Sequence, residues 1–175
     1  MRQLAILIVL AMLACQPATN STSAPSEPVV RYDRPESSIL KGVKVPRDRD
    51  LFFSSGLVTL PNDTTAPDRS LARYGDTYTQ SIGCIKRVQS VLQEAGLDLK
   101  DVIYMGVFIA PNPEAEGKIE FDEWFRAYGE YFNNEENPTK VGRSTLGMAA
   151  LARPYLLVEV EVIAVYPTET EDQIQ

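Results

Sequence analysis

The chain has 175 residues, with 17 basic and 24 acidic side chains, no histidine and a formal charge of −7. Without histidine there is no Ser-His-Asp or Cys-His nucleophile system, and the commonest ligand of zinc and non-haem iron is missing, so no metal and no cofactor is expected. An acidic chain with no basic run repels phosphate backbones, which argues against nucleic acid as a partner.

Met1 and Arg2 begin a short basic region, and Leu4 to Leu13 is an uninterrupted apolar run. A membrane-spanning helix needs about 20 such residues; this run is shorter and has the size of a signal-peptide core. Met12-Leu13-Ala14-Cys15, followed by the polar stretch Gln16 to Ser21, looks like a bacterial lipobox with Met12 where leucine is usual. Residues 1–14 therefore read as a lipoprotein-type signal peptide cut before Cys15. The lipid on Cys15 would anchor the protein to a bacterial membrane, facing the periplasm or the cell exterior. Ordinary secretion with a free Cys15 is the alternative. Losing Arg2 with the leader takes the formal charge from −7 to −8.

Residues 15–38 are expected to form a flexible tether. From Gln16 to Pro28 proline, serine and threonine dominate, and such a segment buries too little surface to offset its ordering entropy. Residues 39–167 have the size of one domain, and residues 168–175 form an acidic, polar tail expected to be disordered. Once Cys15 is lipidated, Cys84 has no disulfide partner. It falls inside an expected helix as a buried, inert thiol.

Within the domain, Gly42 to Val45 is a first expected strand, followed by Leu51 to Ser55 and Leu57 to Thr59, with Gly56 as punctuation. Pro61 to Gly75 is turn-forming. A helix capped by Asp76 or Thr77 is expected to run to Ala95 and stop at Gly96. Its stripe is Tyr78, Ile82, Ile85, Val88, Leu92 and Ala95. Asp101 to Ile109 is nearly continuous apolar sequence and reads as a central strand. A second helix is expected over Lys118 to Phe132, with Phe121, Phe125, Tyr128 and Phe132 on its core side. Strands over Lys140 to Leu146 and Leu156 to Val165 complete the order β-β-β-α-β-α-β-β. That order implies an α+β layer, one sheet with both helices on a single face.

Arg143-Ser144-Thr145 precedes the strand Val158-Glu-Val-Glu-Val-Ile-Ala164. Together with Leu51-Phe-Phe-Ser-Ser-Gly56, Asp76-Thr-Tyr-Thr-Gln80, Glu94-Ala-Gly-Leu97, Asp101-Val102 and Val107-Phe108, in that order, this resembles the RidA/YjgF family. These are imine and enamine deaminases, also called the L-PSP endoribonuclease family. The resemblance covers roughly residues 39 to 166. It implies a chorismate-mutase-like α+β fold and a homotrimer with active sites between subunits. It also implies hydrolysis of 2-imino or enamine acids to 2-oxo acids and ammonia. By it, Arg143 binds the substrate carboxylate, Glu159 positions and activates water, and Ser55, Gly56 and Thr145 line the pocket.

The chemistry is consistent with those residue types. Arginine presents a planar fork that makes two parallel hydrogen bonds to a carboxylate, which lysine cannot. A carboxylate beside an otherwise unreactive water is a general base. Strand alternation sends Glu159 and Glu161 to the same face, and only the resemblance selects Glu159. Four departures from the family pattern stand out. The family's tyrosine near the first strand falls at Gly42 or Val43, and its helical asparagine is Phe125. The proline and alanine before the arginine are Val141 and Gly142, and one extra residue lies between Arg143 and Val158. These motivate an alternative, a module of the same fold that binds a small 2-oxo acid without turning it over.

Overall fold

A computed structural model of the chain describes residues 27–168. The expected signal peptide, the expected lipidation at Cys15 and nearly all of the acidic tail lie outside the described residues.

Two short strands come first, β1 (Val30–Tyr32) and β2 (Gly42–Lys44), paired antiparallel as a small separate sheet. The main sheet has five strands: β3 (Leu51–Phe53), β4 (Leu57–Val58), β5 (Val102–Ile109), β6 (Gly142–Gly147) and β7 (Val158–Val165). Strand β7 lies at its centre. One side of β7 carries β3 and then β4, both antiparallel; the other carries β5, which in turn pairs parallel with β6 at the far edge. Helix α1 (Leu71–Tyr74) is a single turn, α2 (Thr77–Glu94) is the long helix, and α3 (Phe121–Gly129) the shorter one.

Local sequence accounts for most of these boundaries. The Asp76 carboxylate accepts from the Thr79 amide at 2.8 Å and caps α2, satisfying a donor the helix itself cannot. Gly96 closes the helix at φ 75°, a conformation costly for residues with a Cβ. On β7, Val158, Val160, Val162 and Ala164 are buried with Met105, Val107 and Ile109 of β5 against α2 and α3, while Glu159, Glu161 and Ile163 alternate to the open face. Ser54 separates β3 from β4. Its amide donates to the Val162 carbonyl, and its hydroxyl accepts from the Val162 amide at 2.8 Å. A side chain thus takes the place of a backbone acceptor, and the chain steps out of the ladder at Ser55 and Gly56.

The α+β layer with both helices on one face is as expected, and the expected element order is present with β1 and α1 added. Four details differ. The folded unit starts before residue 39, because β1 lies in the segment read as tether. Strand β2 pairs with β1 instead of joining the main sheet. Helix α3 is shorter than 118–132, and its buried residues are Trp124, Ala127 and Tyr128 while Phe125 is 44% exposed. The α2 stripe is rotated at its start: Thr77, Gln80 and Ser81 are buried, whereas Tyr78 and Ile82 are half-buried. Gln80 explains the rotation. Its amide donates to the Gly75 and Tyr155 carbonyls and accepts from the Leu157 amide, so a polar side chain substitutes for a missing strand partner.

Arg31 of β1 holds the N-terminal hairpin to the domain. Its guanidinium donates to the carbonyls of Val102 (2.9 Å), Lys140 (3.0 Å) and Lys100 (3.2 Å), at the starts of β5 and β6. Leu40 extends the attachment by donating to the Val141 carbonyl. Hydrogen bonds from a charged donor contribute about 1.5–3 kcal/mol, and partly buried carbonyls left without one add a penalty. Arg31→Ala should therefore lower the unfolding free energy by about 2–3 kcal/mol, with Arg31→Lys recovering only part. Urea unfolding of the chain from residue 16 onward measures this; a change under about 0.5 kcal/mol would show that the strap is not structural.

Cys84 on α2 is fully buried, and its thiol donates to the Val158 carbonyl at 3.4 Å. Burial pushes its pKa up from 9.0 to about 12. A folded-state pKa raised in this way means the native chain holds the proton more tightly. The associated stability is complete below pH 9.0 and is lost as pH rises toward about 12. In that window this group should lower the unfolding free energy by about 1.4 kcal/mol per pH unit, and Cys84→Ala should flatten the slope. Thiol reagents at about pH 8 should label Cys84 only after denaturation, since reactivity follows the exposed thiolate.

Candidate functional site

The residues singled out from the sequence fall into two groups on opposite faces of the sheet. Pairing decides this. Strand β6 runs parallel to β5 with Met105 opposite Arg143 and Val107 opposite Thr145. Arg143 and Thr145 therefore share the face of the buried Met105 and Val107, beneath the helices. Strand β7 pairs with β5 so that Phe108 lies opposite Glu159 and Gly106 opposite Glu161, which puts both glutamates on the other face.

On the helix side, the Arg143 guanidinium carbon lies 4.1 Å from the Tyr128 ring centroid and 5.2 Å from that of Phe125. The ring quadrupoles attract the cation and orient its plane. Tyr128 is itself fixed: its ring stacks on Phe132 at 4.9 Å, and its hydroxyl donates to the Ser38 carbonyl at 3.2 Å. Burial pushes the Arg143 pKa below the ordinary arginine value, with Tyr128 opposing, yet an arginine stays charged at neutral pH. Burial also pushes the Tyr128 phenol up, with Arg143 pulling it down. The Nη1 atom of Arg143 is buried and has no hydrogen-bond partner. A buried donor left unpaired is costly, and an anion docked on the fork removes that cost.

On the open side, Glu159 lies against Gly56. A Cβ added to Gly56 would sit 1.8 Å from the Glu159 Oε1 atom, and one added to Gly106 would sit 2.7 Å from the Glu161 Oε1 atom. Each carboxylate occupies the room of an absent side chain. Ser55, next to Gly56 where the ladder is interrupted, is exposed. Phe53, Tyr104 and Leu146 lie exposed on the same face, and the Tyr104 hydroxyl donates to the Ser144 hydroxyl at 2.8 Å.

One chain thus brings Gly56 to Glu159, with Ser55 exposed beside Gly56, and puts Thr145 on the face of Arg143. It does not bring Arg143 to Glu159, because they point away from opposite faces of the sheet with β5 between their strands. Sequence reasoning took Tyr128 for a core residue of the second helix and noted Phe125 both on that core side and as the replacement of the family's asparagine. Their three-residue spacing placed both on one side of a helix, but nothing local shows that Arg143 lies against that side.

Residues 42–166 match the family model described as Endoribonuclease L-PSP. Solved structures are similar as well. E. coli TdcF with bound serine is 23% identical, covering 75% of this chain and 97% of that one, with a TM-score of 0.52. YyfB from Yersinia pestis, of the Rid protein family, is 20% identical over 78% of this chain and 98% of its own, with a TM-score of 0.54. The YjgF gene product of E. coli is 22% identical over 67% and 81%, with a TM-score of 0.51. At these identities the structures speak for the fold alone, while the family match spans the whole main sheet and every helix. With that match and the ordered motifs on it, the chain belongs to the Endoribonuclease L-PSP family, the family of RidA and YjgF.

Proposed function

We propose that the protein hydrolyses 2-imino acids and their enamine tautomers to 2-oxo acids and ammonia. Its cleft would join Arg143 of one copy to Glu159 of another. The observation that carries this reading is the buried, unpaired Nη1 of a half-buried, ring-stacked arginine. Such a group is matched by a carboxylate, and a 2-imino acid carries one beside its reacting carbon. With the carboxylate on the fork, Glu159 takes a proton from water as its oxygen adds to the imine carbon, and passes it to the nitrogen, giving a tetrahedral carbinolamine. Glu159 then carries the hydroxyl proton to the same nitrogen as the C–N bond breaks and the C=O bond forms, which releases ammonia and the 2-oxo acid and leaves the carboxylate ionised. TdcF, of the same fold, carries bound serine, a small carboxylate-bearing ligand.

Because Arg143 and Glu159 lie on opposite faces of one sheet, catalysis by this pair requires a second copy, and the homotrimer of the family resemblance supplies it. Phe53 is 65% exposed and Leu146 49% exposed on the open face, apolar surface that burial in an oligomer would remove from water. Sedimentation of the chain from residue 16 should give three copies; a fully active monomer would end this account of the site. The activity itself is tested by generating imines from amino acids with an amino-acid oxidase. Ammonia release should be faster with protein than without, and equal rates would overturn the deaminase reading.

A second reading, non-catalytic capture of a small 2-oxo acid, is favoured by Phe125 at the family's asparagine position and by the absence of a hydroxyl at Gly42 and Val43. Saturable binding of 2-oxobutanoate in calorimetry with no ammonia release would select it.

We also propose export and lipid anchoring at Cys15. The full-length protein should partition with membranes, and Cys15→Ser should move it to the soluble fraction or block its processing. Mass spectrometry showing an unmodified Cys15 would leave a secreted soluble protein.

A further inference from the structure

We infer that Phe125 selects the substrate side chain, so that the Arg143 site prefers 2-imino acids with aromatic or large apolar side chains over small ones. The inference rests on the carboxylate role of Arg143 proposed above. Helix α3 turns Trp124 and Tyr128 fully inward, at 0% and 1% exposure, and leaves the adjacent Phe125 ring 44% exposed. That ring is not an isolated surface residue. It lies 5.2 Å from the Arg143 guanidinium on one side and stacks with Phe121 at 6.5 Å and 20° on the other.

The apolar surface continues along β6. A Cβ on Gly147 would meet Ile119 Cδ1 at 2.7 Å and Phe121 Cζ at 3.3 Å, so both side chains rest on the strand where its own side chain is missing. Arg143, Thr145 and Gly147 alternate onto this face. The cation therefore stands at one end of the row, and Phe125, Phe121 and Ile119 supply hydrocarbon beyond it. In a 2-imino acid the carboxylate and the side chain leave the same carbon. Once the carboxylate is on the guanidinium, the side chain must lie beside that cation, where the nearest exposed ring is Phe125. An aromatic side chain gains stacking and loses contact with water. A polar side chain loses hydration and finds no partner on a phenyl ring.

The probes are phenylpyruvate and pyruvate, which present the same carboxylate and carbonyl and differ only in the phenyl group. They are titrated calorimetrically into the chain from residue 16, which retains every described element. Wild type should bind phenylpyruvate at least about tenfold more tightly, the scale that one apolar group contributes in a pocket. Phe125→Asn should bring the ratio close to one, and Phe125→Leu should keep part of the preference. Matching urea midpoints, which the exposed position of Phe125 predicts, establish that the variants are folded. A ratio near one in wild type, or a wild-type ratio surviving Phe125→Asn, overturns the inference. If both acids bind equally and Arg143→Ala abolishes both, only the side-chain assignment has failed. If neither acid binds wild type, the carboxylate role of Arg143 has failed and the selectivity with it.

Discussion

Arg143→Ala is expected to lower kcat/KM for 2-imino acid hydrolysis about a thousandfold and to abolish detectable 2-oxo acid binding. Losing one partner of a desolvated, hydrogen-bonded charge pair costs about 2–5 kcal/mol, and a thousandfold loss corresponds to about 4 kcal/mol. Arg143→Lys should recover little, because an ammonium offers neither the fork nor the flat face that lies over Tyr128. Folding stability should change little, within about 1 kcal/mol in urea unfolding, since the variant removes a buried donor that has no partner in the unliganded chain. This separation of binding from stability distinguishes a ligand-holding arginine from a structural one. Wild-type kcat/KM in Arg143→Ala would remove the residue from the mechanism.

Gly56→Ala is expected to lower kcat about a hundredfold, the lower end of what a positioned general base contributes, while 2-oxo acid binding through Arg143 persists. The new Cβ would lie 1.8 Å from Oε1 and 2.8 Å from Cδ of Glu159, so the carboxylate must leave its seat. Gly56 has no positive φ and is exposed, so the backbone accepts alanine and the fold survives. Glu159→Gln should produce a loss at least as large. Gly106→Ala is the companion test, because it displaces Glu161 in the same manner, at 2.7 Å from Oε1. Alternation puts both glutamates on one face, and these two variants separate them kinetically. A larger loss of kcat in Gly106→Ala than in Gly56→Ala would transfer the water-activating role to Glu161.

Export rests on residues 1–15 alone and stands or falls apart from this chemistry. The domain is attached to whatever precedes it through β1. Arg31 carries that attachment to the starts of β5 and β6, and Tyr128 ties Ser38 to the ring beneath Arg143. The N-terminal segment of the described residues is thus part of the scaffold of the proposed carboxylate site.

What the sequence determined by itself are the features set within a few residues of each other. The Asp76 cap and Gly96 stop bound α2 because capping and left-handed backbone are local requirements. Strand β7 and its inward valines follow from a two-residue alternation, and β5 from its continuous apolar run. The family was legible because its motifs keep their order along the chain. Tertiary structure alone decided which face each candidate residue occupies. The parallel β5–β6 register and the antiparallel β5–β7 register send Arg143 and Glu159 to opposite sides, and a shift of one residue in either would reverse that. The same nonlocal packing rotated α2 to bury Gln80 beside Tyr155 and Leu157, turned Phe125 outward beside Arg143, and recruited β1 from a segment whose composition reads as tether. Each outcome depends on a partner distant in sequence, which is why periodicity, propensity and capping did not reveal it.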